Sequence, residues 1–266
     1  MALVDYLPAD PANRVARELA RACRRYLLRF NGFSYDFVKG GEQNVMERLS
    51  PFAFQTIFDV GANTGQWSKL AATFFPKAIF HTFEISKTTF CVLDRNLNGA
   101  SFKNNNFGLS SKNDSVPYKD YGPNSVLNTL IHQTCSFDAP ASPSTCFAEV
   151  KSGDFYCDEK SVDFIDLLKV DVEGAENMVF AGFEKMLQKK SVRVIQFEYG
   201  FNNGDAGFLM HNFFSFFSDY GYDIAKVRER RIEFCGFHHT MNNFESGPNY
   251  LAIRRDDQAA LHALTD

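Results

Sequence analysis

Absences narrow the reading of this chain first. No run of 18 apolar residues occurs, so no membrane-spanning helix is expected, and the first residues lack the charged-then-apolar pattern of an export signal. Six cysteines, at 23, 91, 135, 146, 157 and 235, form no C-x-x-C pair. That speaks against a zinc site or a disulfide framework and fits a reducing cytoplasm. Basic residues are not in excess: 28 stand against 32 acidic ones, for a net charge of −4. Such a balance gives no support to nucleic-acid binding. Two nucleotide signatures are also missing. Without G-x-G-x-x-G a dinucleotide pyrophosphate is poorly served, and without G-x-x-x-x-G-K-[ST] a triphosphate has no cradle.

What is present organises around 55–67, QTIFDVGANTGQW. Apolar, β-prone residues lead to Asp59. A glycine turn, Gly61 to Gly65, follows, and a helix is expected from about 66. Glycine tolerates strained backbone and leaves room for a ligand, and a helix start offers unpaired N–H groups. A second expected strand, about 78–84, ends in Glu84, and a carboxylate there can grip a ribose diol. Together these read as an adenosine-cofactor site at the carboxyl edge of a parallel sheet. With phosphate cofactors disfavoured, S-adenosyl-L-methionine fits; a packing turn without ligand is the rival reading.

Along the rest of the chain, apolar periodicity predicts a helix over about 12–30, with Val15, Leu19, Cys23, Tyr26, Leu27 and Phe30 on one face. Six arginines line much of the remainder. A packed helix with a solvated arginine face is the plain expectation, and a peripheral contact with a partner or membrane surface the alternative. Further strands are expected at 104–109, 164–171, 192–199, 222–228, 231–237 and 249–254. Helices are expected at 87–97, from 175 over the next fourteen residues, and at 211–220, whose aromatic stripe reads as core. Residues 121–150 show no periodicity and read as a loop-rich insertion or short hairpins that help cover the site, with disorder or surface decoration as the rival reading. The domain reading is a helical extension at 1–50, a main domain at 51–256 with an insertion at about 112–150, and a tail at 257–266. The fold class is α/β: an open sheet with right-handed crossovers.

Asp59, Asp171 and Glu198 stand at strand ends. In an open sheet the first and fourth strands adjoin the point where strand order reverses, so DVGANTG and KVDVEGAE would face one crevice. That placement singles out Asp171 and Glu173.

The chain resembles the FkbM family of S-adenosylmethionine-dependent methyltransferases over roughly 50–255. The resemblance rests on FDVGANTGQWS (58–68), FEISKTTFCVLDRNL (83–97), FGLSS (107–111) and, most specifically, IDLLKVDVEGAENMVFAG (165–182), with Glu198 after the fifth strand. It implies a Rossmann-like class I fold, a mostly parallel seven-stranded sheet whose antiparallel last strand lies between the fifth and sixth. It also implies O-methylation of a hydroxyl on a sugar, glycan or natural-product small molecule. Carried over, Gly61, Asn63 and Gly65 shape the methionine side of the cofactor site. Asp59 orients that loop or meets the ammonium, Glu84 takes the ribose hydroxyls, and Ser110 lies near the adenine. Asp171 is placed to meet the methyl group or the acceptor, with Glu173 beside it. Asp171, Glu173 and Glu198, in that order, are candidates for the base that takes the acceptor's proton. His211 is the runner-up, and His238-His239 lies within reach only from a late loop. The three acids are also oxygen donors of the kind Mg2+ prefers. The rival functions are a nucleic-acid methyltransferase, supported only by the arginine-rich helix, and a non-catalytic domain that keeps the cofactor fold.

Overall fold

The computed structural model describes residues 9–122, 125, 128–131 and 143–265. Cys135 and much of the segment expected to be loop-rich therefore lie outside the described residues.

The chain opens with α1 (Arg14–Phe30), capped by the Asn13 side chain, which accepts from the Val15 and Ala16 N–H groups. Next come α2 (Glu42–Leu49) and a short 3-10 turn. Strands and helices then alternate: β1 (Thr56–Val60), α3 (Gln66–Phe74), β2 (Ile79–Phe83), α4 (Lys87–Asn96) and β3 (Phe102–Asn105). The expected third strand at 104–109 is really two. After β3 the chain leaves the main sheet, and β4 (Gly108–Ser110) joins a small second sheet with β5 (Asp114–Asp120) and β6 (Ser144–Ser152). Neither β5 nor β6 was legible in advance, because their exposed faces alternate polar groups without an apolar partner row. Helix α5 (Gly153–Lys160) was also missed. It is held by the Ser152 cap and by buried Tyr156 and Cys157 rather than by an apolar period.

The order resumes with β7 (Ile165–Val170), α6 (Glu176–Ala181), α7 (Glu184–Gln188), β8 (Val192–Glu198), α8 (Phe201–Asp205) and α9 (Met210–Asp219). It closes with β9 (Tyr222–Val227), β10 (Ile232–Phe234), β11 (Asn249–Arg254) and α10 (Gln258–Thr265). The fourteen-residue helix expected from 175 is broken at Gly182. A Cβ on Gly182 would lie 2.1 Å from the Ser110 carbonyl oxygen, so β4 packs against the break.

The main sheet runs β10-β9-β11-β8-β7-β1-β2-β3. Strands β3, β2, β1, β7 and β8 are parallel, and β11 runs antiparallel between β8 and β9. That is the expected arrangement with one strand more, since β10 pairs antiparallel with β9 at the edge. From β1 the chain winds outward through β2 and β3, then returns and winds the other way from β7, so the reversal falls between β1 and β7.

Both sheet faces are buried. Successive residues point to opposite sides, so Phe58, Leu168 and Ile195 enter one core while Ile57, Leu167 and Val194 enter the other. The first core is aromatic and includes Phe213 and Phe217 of α9, as the aromatic stripe suggested. The second takes Val45, Met46 and Leu49 of α2 and Ala260 and Leu264 of α10. Helix α2 is thus part of the packed body. Helix α1 is not the packed helix expected: only Ala16 on it is buried, and Val15, Tyr26, Leu27 and Phe30 are exposed.

Gly182→Ala should cost about 2 kcal/mol or more, the scale of an overpacked core site, because the atom it meets is backbone. Thermal unfolding of the variant checks this, with a lowered Tm expected.

Candidate active site

A cleft of about 720 Å³ opens at the carboxyl ends of the strands, over the β1/β7 reversal. That volume falls in the range of small-molecule sites, about 300–1,000 Å³. One wall is the turn after β1. The Gly61 and Ala62 N–H groups both donate to the Phe83 carbonyl at 3.0 Å, which laces the turn to the end of β2. Gly61 has φ +80°, and a Cβ there would lie 1.8 Å from the Asp171 carbonyl oxygen, so the two loops meet backbone to backbone. Glu84 closes β2. Its Oε2 accepts from the Asn63 N–H at 3.0 Å and its Oε1 from the Ser86 N–H at 2.8 Å. Burial pushes this carboxyl up to about 7 against the two N–H donors that favour its charged form. Phe83, Ile85 and Leu109 give the same end of the cleft an apolar lining.

The opposite wall is the turn after β7, which carries Asp171 and Glu173. Glu173 adopts φ +55°, a left-handed conformation uncommon for a non-glycine residue. The turn is pinned from below by Glu176, whose Oε1 accepts from Val172 N–H at 3.0 Å and Gly174 N–H at 3.2 Å. Glu176, at the start of α6, thus holds the turn, and Glu173 faces the cleft. Asn202 of α8 donates to Glu173, and Asn203 donates to Glu176 at 2.6 Å. Glu198, at the end of β8, completes the acidic side. Burial raises its pKa well above the ordinary range, helped by the charges of Asp171 and Glu173 and by a carboxyl–carboxylate hydrogen bond to Asp171. Burial and then the Asp171 charge push Glu173 up to about 8. Tyr35, Phe37 and Glu42, which precede β1, line the cleft as well. Tyr35 is 64% exposed as a whole, and partial desolvation of its hydroxyl, followed by the charges of Glu198, Glu173 and Asp171, shifts the phenol upward.

Lys169, a lone lysine in the apolar run of β7, is a site residue beyond those expected. Its ammonium is buried, 3.3 Å from Asp59 Oδ1 and 3.2 Å from Asp171 Oδ2. Burial alone would lower its pKa, but the carboxylates of Asp59, Asp171 and Glu42 hold it above the usual value. The local signal is slight: Lys169 stands two residues before Asp171, on the same strand face, and only the β1–β7 register sets it directly opposite Asp59.

The other expected site residues fall in two groups. Gly61, Asn63, Glu84, Asp171, Glu173 and Glu198 line the cleft. Asp59, Gly65 and Ser110 do not. The Asp59 carboxylate is wholly buried under the turn, accepting from Ser68 Oγ at 2.7 Å and paired with Lys169, so it meets a ligand only through the lysine. Gly65 starts α3 at φ +82°, where a Cβ would strike Leu97. Ser110 is buried, and its neighbours Gly108 and Leu109 face the cleft instead. His211, His238 and His239 are not among the lining residues. The insertion does reach the site: Asn63 Nδ2 donates to the Ser125 carbonyl at 3.0 Å and Thr129 Oγ1 to the Glu173 carbonyl at 2.8 Å, so it bridges both walls.

The residues do not fit a divalent ion. Among the described residues no three His, Cys, Asp or Glu side chains are placed to hold one. Asp171 takes its positive partner from Lys169 instead. They do fit S-adenosylmethionine. Two buried donors at the cleft, the Trp67 indole N–H and the Asn128 amide, lack a partner among the described residues and suit the carboxylate of an amino acid. Glu84 keeps lone pairs for a diol.

A Rossmann-like sheet with an antiparallel strand between the fifth and sixth, and a nucleoside cleft at the reversal, defines the class I methyltransferase fold. Comparison with known proteins narrows this further. Residues 59–224 match the methyltransferase FkbM domain, and the chain belongs to that family of S-adenosylmethionine-dependent methyltransferases. No curated protein matches it. Among solved structures, methyltransferase FkbM from Methylobacillus flagellatus gives a TM-score of 0.46 at 13% identity, covering 90% of this chain and 59% of that one. The chain thus spans well under two thirds of that relative's length. An O-methyltransferase from Bacillus cereus in complex with SAH gives 0.45 at 11% identity, covering 88% and 91%. A TehB-like SAM-dependent methyltransferase from Corynebacterium glutamicum gives 0.41 at 12%, covering 90% and 96%. No helix among the described residues is long and apolar enough to cross a membrane, and the five described cysteines are free thiols.

The crowded acids set a pH dependence. Glu42, Glu84 and Glu176 are raised to about 7 and Glu173 to about 8, chiefly by burial. Unfolded carboxyls titrate near ~4.3, so each binds its proton more tightly when folded. Their stabilising contribution is complete below about pH 4 and is lost as pH rises through 7 to 8. Without ligand, Tm should fall by several degrees between about pH 5 and about pH 8, and Glu173→Gln should flatten the slope. A pH series of melting curves reads this directly.

Proposed function

We propose that the chain transfers a methyl group from S-adenosylmethionine to a hydroxyl of a sugar, glycan or natural-product small molecule. One observation carries the reading: a single cleft joins the Glu84 carboxylate at the end of β2 to a buried acid group at the ends of β7 and β8. When bound, S-adenosylmethionine supplies an electrophilic methyl carbon carried on a positive sulfur. Gly61, Asn63 and Glu84 hold the nucleoside and amino-acid parts, and the Trp67 and Asn128 donors take the carboxylate.

The acidic wall serves the acceptor. A sugar hydroxyl is a weak nucleophile at neutral pH, so a base removes its proton as attack proceeds. Asp171 is engaged by Lys169 at 3.2 Å, and its role is to position that corner. Glu198 and Glu173 have pKa values raised into or beyond the neutral range, where a carboxylate is a stronger base. They take the proton between them as one coupled pair. The aromatic side chains of Tyr35, Phe37 and Phe201 shape the space beside them at the mouth of the cleft.

Glu84→Gln should weaken binding of S-adenosylhomocysteine about tenfold to a hundredfold, the worth of charge-assisted hydrogen bonds to a diol. Isothermal titration measures it, and unchanged affinity would remove Glu84 from the site. Label transfer from methyl-tritiated donor to a panel of glycosides and hydroxylated natural products tests the reaction itself. Because the base must be ionised, kcat/KM should climb with pH through about 8. Glu198→Gln should lower kcat about a hundredfold or more while leaving S-adenosylhomocysteine affinity within a few-fold of wild type. Tight product binding with no label passed to any hydroxyl would defeat the acceptor assignment.

A further inference from the structure

Among the described residues, helix α1 is the one long helix that the packed body leaves mostly uncovered. It is tethered at its C-terminal end: Arg228 donates to the Phe30 carbonyl at 2.9 Å, Asn31 donates to the Glu245 carbonyl at 3.2 Å, and Arg24 pairs with Glu245 at 2.7 Å. Along the helix, side chains separate by 100° per residue, from 3.6 residues per turn. On that wheel Val15, Leu19, Ala22, Cys23, Tyr26 and Phe30 share one arc, with Leu27 at its margin. Arg14, Arg17, Arg21, Arg24, Arg25 and Arg29 share the opposite one. The apolar arc is open to solvent: Val15 is 64% exposed, Tyr26 67%, Leu27 49% and Phe30 66%. A contiguous apolar face of this kind on a folded protein marks something that covers it.

The charge pattern selects the occupant. Six arginines stand against one glutamate, Glu18, on this helix, in a chain whose net charge is −4. Among the described residues Arg14, Arg17, Arg25 and Arg29 form no ion pair. An apolar face rimmed by unpaired guanidinium groups matches the boundary of an anionic bilayer, with acyl chains on one side and headgroup phosphates and carboxylates on the other. A nucleic acid would use the arginines and leave the apolar face wet. A second copy would bury the apolar face and leave the arginines without counter-charges.

We propose that α1 is a membrane-surface anchor, lying in the plane of an anionic bilayer with Val15, Tyr26, Leu27 and Phe30 inserted and the arginines on the headgroups. The placement bears on the cleft. Four residues separate Phe30 from Tyr35, so five steps along the chain span at most about 18 Å, and Tyr35 lines the cleft. Docking through α1 therefore holds the cleft close to the lipid surface. This inference stands apart from the methyl-transfer reading, because the residues of α1 that would meet the bilayer lie outside the cleft lining.

The test is co-sedimentation of the full chain with large vesicles of phosphatidylcholine containing ~30% phosphatidylserine, against pure phosphatidylcholine. The expected result is at least about tenfold stronger partitioning onto the anionic vesicles, falling steeply as salt is raised from about 0.1 to about 0.5 M. A Tyr26→Ser, Phe30→Ser variant and an Arg17→Ala, Arg21→Ala, Arg25→Ala variant should each lose about tenfold or more in partitioning. All five positions are exposed, so Tm and S-adenosylhomocysteine affinity should match wild type. Equal binding to both vesicle types, or partitioning untouched by either variant, overturns the proposal. So does a dimer in sedimentation velocity that the Tyr26/Phe30 variant dissolves, or binding to single-stranded RNA with none to vesicles.

Discussion

The Lys169 ammonium is the charge on which the rest of the site depends. It sits beneath the cleft between Asp59 of β1 and Asp171 beyond β7. The strand register places Asp59, Lys169 and Gln196 side by side across β1, β7 and β8, and Glu42 of α2 accepts from Gln196 at 2.6 Å over the end of that row. A lone charge buried here would be very costly, and a paired one is tolerable only in good geometry. A slip of one residue between β1 and β7 would turn Lys169 into the aromatic core and leave Asp59 unpaired. The polar row thus penalises every register but one, and that register brings Gly61 against the Asp171 carbonyl.

Electrostatics above that row follow from burial and a shortage of positive charge. Glu173 and Glu198 are buried, and they crowd one corner with Asp171 while Asp59 and Asp171 share a single lysine, so Glu173 and Glu198 keep their protons to unusually high pH. The same shortage favours a ligand that brings positive charge with it, such as a sulfonium, and disfavours phosphorylated compounds. Tyr35 stays a neutral phenol beside these acids and can donate to them or to a hydroxylic acceptor.

Much of this was legible in the chain, for definite reasons. The β1 turn, the acid after β2 and the DVEGAE turn show themselves because strained backbone and strand-end carboxylates leave local marks. The doubly buried strands show as apolar runs. What stayed hidden depends on contacts between distant segments. Lys169 gains meaning only once Asp59 lies opposite it. Asp59 and Ser110 read as ligand contacts because a strand end does not say which side chain faces outward. The helix after β7 breaks at Gly182 because β4 presses on it, a pressure invisible at Gly182 alone. The periodicity of α1 gave its amphipathic form but left open whether the apolar side packs on the body or meets a partner or membrane surface; among the described residues only Ala16 of this helix is buried.

The cleft is built from two sources. Its β1, β2 and β7 walls lie within residues 59–224, whereas Tyr35, Phe37, Glu42 and Asn249 come from outside that span. Such a division lets the donor half remain fixed while selectivity drifts: exchanging a few side chains on the borrowed rim would reshape what is accepted without disturbing the ion pairs that keep the sheet in register. Grafting the 33–42 segment between homologues is thus a natural way to move a preference from one scaffold to another.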